Sequence, residues 1–199
     1  VFDYVSPLGN ISDVQLGVPV AINIENGIAA MALAQLSGVS NEEIKTGMAS
    51  FRGVDRRFDF KIKTDKVVYL SDYAHHPEEI KQSILSMRAL YGDKKLTGIF
   101  QPHLYTRTRD FYQEFAESLS LLDEVILTDI YPARELPIEG VSSQLIYDNL
   151  RPDIDKILCT KEEVIDILKK KEIEVLMTLG AGDIENYAPQ ICEILNERC

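Results

Sequence analysis

The sequence predicts an α/β protein built on a mostly parallel sheet that is flanked by helices. Two observations lead to this prediction. From residue 67 onward, short apolar runs alternate with longer amphipathic segments. Polar residues, including all three histidines, concentrate directly after the apolar runs. Apolar strands that alternate with helices are typical of parallel sheets covered on both faces.

The sequence of residues 1–54 predicts a smaller unit with little hydrophobic core of its own. Ser40 and Glu43 have the S-x-x-E spacing of a capping box at the start of a helix. A strand and two helices bury too little surface to be stable alone. We therefore interpret residues 1–54 as the tail of a domain that belongs to a longer protein, the alternative being a small N-terminal subdomain. The candidate elements are a strand at 1–6 and helices at 24–36 and 40–50.

The second predicted domain covers residues 55–199 and carries the regular alternation of strands and helices. Its first helix is predicted to begin at Pro77, whose missing N–H costs nothing there, followed by Glu78 and Glu79, which favour the positive end of a helix. The predicted strands are 58–63, 67–70, 96–100, 124–128, 154–159 and 175–179, and the predicted helices are 77–90, 108–122, 142–149, 161–170 and 183–196.

Composition excludes several classes of function. The 199 residues contain 21 Lys and Arg against 32 Asp and Glu, a formal charge of −11. This charge argues against nucleic-acid partners and against binding to acidic membrane surfaces, which both need basic patches. The sequence has no apolar run long enough to span a bilayer and no secretory signal at its start. We interpret Cys159, Cys192 and Cys199 as reduced thiols of a cytoplasmic protein, because their spacing fits neither disulfides nor a zinc site.

The loops that follow four predicted strands hold the side chains that are best suited to catalysis or ligand binding. These loops are 71–77, 101–109, 129–135 and 180–183, and together with the linker before the first strand they contain every histidine and most of the arginines. Because carboxyl ends of parallel strands meet at one edge of a sheet, we expect the four loops to lie side by side. Clustered arginines in an acidic chain indicate a site for an anion such as a phosphate or a carboxylate.

Several motifs allow more than one interpretation. Asp72, His75, His76 and His103 could ligate Zn²⁺ or Mn²⁺ in a metal-dependent hydrolase, or His76 could simply close the turn before Pro77. The stretch 180–182, Gly-Ala-Gly, is typical of either a phosphate-binding turn or a tight strand-to-helix turn. A non-catalytic nucleotide-binding module is a further hypothesis. The sequence contains no G-x-x-x-x-G-K-[ST] phosphate loop and no G-x-S-x-G nucleophile elbow.

Asn23 and Asn26 lie one helical turn apart near the start of a predicted helix. Their side chains could cap that helix, or they could pair with the edge of a purine base. The residue pattern alone leaves both interpretations open.

Six strings of the chain resemble the C-terminal region of the Mur ligases, in the order that the family has them, over nearly the whole chain. Two of them, D-Y-A-H-H-P and F-Q-P-H-x-Y-T-R-T, favour the branch that adds L-alanine over the branch that recycles murein tripeptide. The strings are N-x-x-N at 23–26, G-V-D-R-R-F-D at 53–59, D-Y-A-H-H-P at 72–77, F-Q-P-H-L-Y-T-R-T at 100–108, D-I-Y-P-A-x-E at 129–135 and T-L-G-A-G-D-I at 178–184.

The resemblance implies an ATP-dependent ligase of peptidoglycan synthesis that joins L-alanine to UDP-N-acetylmuramate through an acyl phosphate. It implies that residues 1–54 are the end of a central ATP-binding domain and that residues 55–199 form a Rossmann-like C-terminal domain. The phosphate loop, the UDP-sugar domain and most residues that hold Mg²⁺ would then lie in missing parts of the same polypeptide. A chain without them would be inactive alone.

The resemblance also implies roles for single residues. Asn23 and Asn26 would contact adenine, Asp72 the ribose and Arg57 the phosphates of ATP. The residues that would line the alanine and reaction site are Tyr73, His75, His103 and Arg107, and Arg107 would bind the alanine carboxylate. The catalytic residues would be Arg57, His75, His103 and Arg107. No protein-bound metal site is implied within the chain.

The chain departs from the family pattern at two places. Leu104 stands where the family commonly has Arg, so that Arg109 is the candidate to supply the lost substrate contact. Residues 20–22 are Val-Ala-Ile where the family usually has Gly-Arg-His, which removes a histidine from the expected nucleotide site.

Overall fold

The structure, a computed structural model, describes residues 1–18 and 21–198. The chain divides into two compact units, Val1–Val54 and Asp55–Cys199. Residues 19 and 20, which include the first position of the Val-Ala-Ile departure, and Cys199 lie outside the described residues.

The first unit consists of a two-stranded antiparallel sheet and two helices. Ser40 forms the predicted capping box with Glu43, and the small core is built from Tyr4, Ile11, Val14, Met31 and Ile44. The strand at Ile11–Val14 was not predicted, because it is short and Asp13 within it adopts a positive φ of 57°. The elements are β1 (Phe2–Tyr4), β2 (Ile11–Val14), α1 (Ala21–Leu36) and α2 (Asn41–Ser50).

The second unit contains a six-stranded sheet in the spatial order β3-β4-β8-β5-β6-β7. The edge strand β3 pairs antiparallel with β4, and all other neighbours pair parallel. This confirms the α/β fold with a mostly parallel sheet. The strands are β3 (Asp59–Lys63), β4 (Val68–Asp72), β5 (Leu96–Phe100), β6 (Glu124–Leu127), β7 (Asp155–Leu158) and β8 (Val175–Leu179).

Helices cover both faces of this sheet. Side chains alternate along each strand, so Tyr69 and Ile99 pack in the core beneath α6 and α7, whereas Phe100 faces the other side and contacts Phe115 of α4. On that side α3 packs against α4 and α4 against α5. The helices are α3 (Pro77–Tyr91), α4 (Tyr105–Leu119), α5 (Gln144–Asn149), α6 (Val164–Lys169) and α7 (Ala188–Asn196).

Several helix boundaries differ from the predicted ones. Helix α4 begins three residues earlier than predicted, because Leu104 adopts φ 73° as its N-cap residue and its carbonyl accepts hydrogen bonds from the N–H and the hydroxyl of Thr108. The predicted helices at 161–170 and 183–196 each begin with a 3₁₀ turn, at Lys161–Glu163 and Ile184–Tyr187, before α6 and α7. Tight 3₁₀ turns are common at helix ends.

The order of the strands positions the four polar loops. Strands β4, β8, β5 and β6 are consecutive neighbours in the sheet and run parallel, so their carboxyl ends, and the loops that follow, form one edge. Among the described residues, no helix is long and apolar enough to cross a membrane. The described cysteines, Cys159 and Cys192, are unpaired, and burial raises the pKa of Cys159 to about 11.

Candidate active site at the carboxyl edge of the sheet

Backbone hydrogen bonds tie the four loops to one another. The N–H of Leu104 donates to the carbonyl of Tyr131 at 2.9 Å, and the N–H of Tyr131 donates to that of Pro102 at 2.8 Å. On the other side, the N–H of Gly180 donates to the carbonyl of Asp72 at 3.2 Å. The Gln101 amide donates to Asp183 at 2.7 Å and joins these two pairs of loops, so the four loops form a connected frame that can hold side chains in fixed positions.

Four rings from three of these loops form a continuous row, here called the aromatic row. Ring centroids lie 5.3 Å apart for Tyr73 and His75, 6.1 Å for His75 and His103, and 5.6 Å for His103 and Tyr131. The first two pairs meet edge to face, and His103 stacks on Tyr131. The row thus crosses the edge from the loop after β4 to the loop after β6.

Three arginines border the aromatic row. The guanidinium carbon of Arg56 lies 4.6 Å from the ring centroid of Tyr73, and that of Arg57 lies 5.6 Å from it. Arg107 donates from Nη1 to the carbonyl of His75 at 3.5 Å. The cations are thus brought to this edge in a chain whose formal charge is −11, which makes it suitable for an anionic ligand.

His75 and His103 have different surroundings. His75 Nδ1 lies 3.0 Å from the carbonyl oxygen of Tyr73 and 3.2 Å from Glu79 Oε2. His103 Nδ1 is buried and has no hydrogen-bond partner among the described residues. Burial lowers the pKa of His103, and the charges of Arg107 and His75 lower it further, so this ring is neutral near pH 7.

Glu79 joins the start of α3 to this site. Its Oε2 accepts hydrogen bonds from the N–H groups of His75 at 3.0 Å and His76 at 3.1 Å. Burial acts to raise the pKa of Glu79, but these hydrogen bonds and the charges of His75 and Arg57 outweigh it and lower the pKa. Glu79 is therefore a carboxylate at neutral pH.

Asp72 lies at the end of β4, and its carboxylate accepts hydrogen bonds from other groups of the protein. Ser83 donates to Oδ2 at 2.7 Å and the N–H of Ala74 donates to Oδ1 at 3.3 Å. Burial raises the pKa of Asp72, and the hydrogen bonds from Ser83 and from the backbone of Phe58 and Ala74 oppose that rise. In this arrangement the carboxylate holds the loop after β4 to helix α3.

The metal-dependent hydrolase finds no support in these positions. No group of three or more His, Cys, Asp or Glu residues in the described part of the chain could hold a metal ion. The ring of His76 is exposed and packs against Phe111, with centroids 5.2 Å apart, whereas Asp72 bonds to Ser83. The residues present therefore do not fit a protein-bound metal, and the same holds for the Mg²⁺ that the resemblance implies.

The Gly-Ala-Gly turn after β8 is explained by close packing. A Cβ on Gly180 would lie 2.6 Å from the carbonyl oxygen of Gln101, and a Cβ on Gly182 would lie 2.2 Å from Gln101 Oε1. The Gln101 amide also donates to Asp183 at 2.7 Å and accepts from the N–H of Ile184 at 2.9 Å. The tight-turn interpretation accounts for both glycines without a bound phosphate.

Comparison with known proteins agrees with this fold. The sequence model described as "Mur ligase, glutamate ligase domain" matches residues 56–184, which contain the sheet and all four loops. The chain belongs to the Mur ligase family.

Curated relatives in this family match almost the whole chain. The UDP-N-acetylmuramate–L-alanine ligase of Phocaeicola vulgatus is 79% identical over 99% of the chain, and that of Porphyromonas gingivalis ATCC 33277 is 51% identical over 100%. The chain spans 43% of the length of each of these two relatives.

Solved Mur ligase structures share the fold. The UDP-N-acetylmuramate-alanine ligase of Thermotoga maritima superimposes with a TM-score of 0.78 at 26% identity, over 96% of this chain and 41% of that one. A murein peptide ligase from Psychrobacter arcticus superimposes with a TM-score of 0.67 at 17% identity, over 94% of this chain and 39% of that one, which shows the fold alone.

The structure brings together most of the residues that the Mur ligase resemblance assigned to the reaction site. Arg57, Tyr73, His75, His103 and Arg107 all lie at the aromatic row or on its border.

Arg109 is not brought to this site: it is exposed, and its Nε donates to the neighbouring Asp110 at 2.7 Å. A position on the outer side of α4 directs it to solvent, so the described contacts give no support to its predicted substrate contact.

The predicted adenine contacts, Asn23 and Asn26, belong to α1 of the first unit. Helix α1 begins at Ala21, so both residues are inside the helix and neither is its N-cap. The Asn23 amide donates to the carbonyl of Val18 at 3.3 Å, and the side chain of Asn26 is exposed.

Three residues at the site were not assigned a role from the sequence. Tyr131 completes the aromatic row, Arg56 covers Tyr73 and donates from Nη2 to the carbonyl of Gly182 at 3.3 Å, and Glu79 contacts His75. The first two stood inside the family strings, which is the signal that could have found them. Glu79 was interpreted only as an acidic residue at a helix start.

Proposed function

We propose that this chain is the C-terminal part of an ATP-dependent ligase that joins L-alanine to UDP-N-acetylmuramate in the cytoplasm. The observation that carries the proposal is the aromatic row with its bordering arginines, at the edge where ligands bind in open parallel sheets. Relatives that carry this enzyme name cover 99–100% of the chain. The unpaired Cys159 and Cys192 support a reducing compartment.

The reaction needs positive groups where negative charge is transferred. In the proposal, ATP converts the carboxylate of UDP-N-acetylmuramate into an acyl phosphate, and the amino group of L-alanine attacks it. Arg57 contacts the nucleotide phosphates, and Arg107 binds the carboxylate of alanine, because a guanidinium matches both anions in charge and geometry. Tyr73, His75 and His103 line the space in which the amine and the acyl carbon meet.

In the proposal, this chain supplies only some of the residues that bind ATP and Mg²⁺. The proposed adenine contacts are Asn23 and Asn26. The proposed ribose contact is Asp72, whose hydrogen bond with Ser83 would have to be exchanged. Mg²⁺ is held by the phosphates and mainly by residues outside this chain.

The surface of the first unit supports the interpretation that it is the end of a larger domain. Helix α1 is rich in Ala, Ile and Met, yet among its residues 23–36 only Gly27 and Met31 are buried. Leu33 is 66% exposed and Leu36 is 72% exposed. Apolar residues around a helix are normally covered, so a further part of the same polypeptide is the natural cover for α1.

The test uses the full-length protein that contains this chain. We expect ADP and phosphate release that requires UDP-N-acetylmuramate and L-alanine together, with a product heavier by one alanine residue in mass spectrometry. Arg57→Ala is expected to lower kcat at least about 100-fold, the range for a group that stabilises transferring charge. Arg151→Ala is the matched control, since this exposed arginine pairs with Asp153 before β7, at the opposite edge of the sheet. Equal rates for Arg57→Ala and the control would contradict the proposed role.

A further inference from the structure

The contacts of His75 fix which of its nitrogens is free. Its Nδ1 lies 3.0 Å from the carbonyl oxygen of Tyr73 and 3.2 Å from Glu79 Oε2, and both of these atoms are acceptors. Nδ1 therefore carries a proton in every protonation state. The lone pair of neutral His75 is on Nε2, which has no hydrogen-bond partner in the described part of the chain.

His103 has the opposite arrangement. Its Nδ1 is buried and has no partner among residues 1–18 and 21–198. Burying an N–H without an acceptor is costly and rare, so the neutral ring has its lone pair on Nδ1 and its proton on Nε2. The two imidazoles thus lie with centroids 6.1 Å apart; His75 offers a lone pair on Nε2 when it is unprotonated, and His103 offers an N–H on Nε2.

We infer that His75 Nε2 is the base that takes the proton from the ammonium of the incoming L-alanine, that Glu79 is the residue that positions His75, and that His103 Nε2–H donates to the reacting carbonyl oxygen. This inference rests on the proposed function and divides its chemistry between two residues. Helix α3 supplies the positioning carboxylate from its first turn, where Glu79 also accepts from the N–H groups of His75 and His76.

The protons and electrons balance as follows. The alanine ammonium gives one proton to His75 Nε2, and the nitrogen lone pair then forms the C–N bond with the acyl carbon. The C–O bond to phosphate breaks, and its electron pair goes to the phosphate oxygen. The second proton leaves the nitrogen and is carried away by the phosphate, and His75 returns the first proton to solvent.

The charges around His75 come from three elements. The Glu79 carboxylate of α3 lies 3.2 Å from Nδ1 of the ring, Arg107 of α4 contacts the His75 carbonyl, and Arg57 acts on Glu79. Tyr73 and His103 face the ring as neutral groups, and Glu135 acts on His103. Removing the negative charge of Glu79 therefore leaves the arginines unopposed and weakens His75 as a base.

The first experiment compares two capping glutamates in the full-length protein. Glu79→Gln keeps an acceptor for the backbone N–H groups but removes the charge beside His75. Glu163→Gln is the matched control, because Glu163 accepts from the N–H of Thr160 in another capping box that has no histidine. We expect Glu79→Gln to lower kcat/KM for L-alanine at least about tenfold and to move the acid limb of its pH profile to lower pH. Equal profiles for the two variants would overturn the role of Glu79.

The second experiment uses hydroxylamine, an amine that is uncharged at neutral pH and needs no base. With UDP-N-acetylmuramate and ATP it traps the acyl phosphate as a hydroxamate. We expect His75→Gln to slow alanine ligation about 100-fold or more, with a deficit that narrows as pH rises, and to leave hydroxamate formation within about threefold of the unaltered protein. An equal loss with both amines would overturn the assignment of the base. If the unaltered protein formed neither hydroxamate nor the alanine product, the proposed function itself would be overturned. That result differs from an equal loss with both amines in His75→Gln, which would overturn only the assignment of the base.

Discussion

Gly180 gives a direct test of how tightly the loops at the candidate site fit together. Its φ is 137°, and a Cβ at this position would lie 2.6 Å from the backbone carbonyl oxygen of Gln101. Neither atom can move without shifting the end of β8 or the loop after β5. Gly180→Ala therefore combines backbone strain of about 1–3 kcal/mol with overpacking of about 1–3 kcal/mol.

Gly140 supplies the matched control for this prediction. Its φ of 76° also favours glycine, but nothing lies within 4 Å of the position of a Cβ. Gly140→Ala thus has the backbone cost alone, and we expect Gly180→Ala to be less stable than Gly140→Ala by about 1–3 kcal/mol. For a chain of this size that difference corresponds to about 2–12 °C in Tm.

Urea denaturation and thermal unfolding of the chain measure both variants. Both glycines lie in the second unit, so the same transition reports both. If Gly180→Ala were no less stable than Gly140→Ala, the close approach of the two loops would not be the reason for the glycine, and the phosphate-binding interpretation of the turn would regain support.

Three further predictions concern neighbouring residues. Ser83→Ala leaves the Asp72 carboxylate without its side-chain donor and should lower the free energy of unfolding by about 1–3 kcal/mol at pH 7. Because burial raises the pKa of Asp72 in the folded state, this deficit should shrink as the pH is lowered and the carboxyl is protonated. A deficit that urea titrations find independent of pH would contradict this prediction. Since burial and Arg107 lower the pKa of His103, the unfolded chain binds its proton more tightly, so the contribution of His103 to stability should be complete above about pH 6.5 and fall below it. His103→Gln should flatten that slope in denaturation curves measured from pH 5 to 8, and an unchanged slope would argue against it. Arg109→Ala in the full-length protein should keep kcat and KM within about threefold, as for an exposed ion pair, and a large rise in the KM for L-alanine would restore its predicted role.

The fold was predictable because its signals are local. Apolar runs and helix caps depend on residues that are close in sequence, so the parallel strands and the helix cap at Ser40 were recognised from the sequence. The start of α4 was not, because Leu104 adopts φ 73° only where its N–H bonds to the carbonyl of Tyr131 in another loop. Strand β2 was missed because it is only four residues long and pairs with the three-residue β1.

The site was predictable to the extent that strand order decides it. Polar loops after neighbouring parallel strands must share an edge, which brought His75, His103 and Arg107 together. The outward direction of Arg109 and the pairing of Glu79 with His75 depend on how α4 and α3 are rotated about their axes, and side-chain packing fixes that rotation.

The most direct test of the central claim is the KM for L-alanine in Arg107→Ala of the full-length protein, measured beside Arg151→Ala. The account predicts a rise of about 10- to 100-fold for Arg107→Ala, the loss of a charge-assisted contact with the alanine carboxylate, with the KM for ATP unchanged and no rise for Arg151→Ala. An unchanged KM for L-alanine in Arg107→Ala would contradict the claim that the carboxyl edge of this sheet binds the amino acid.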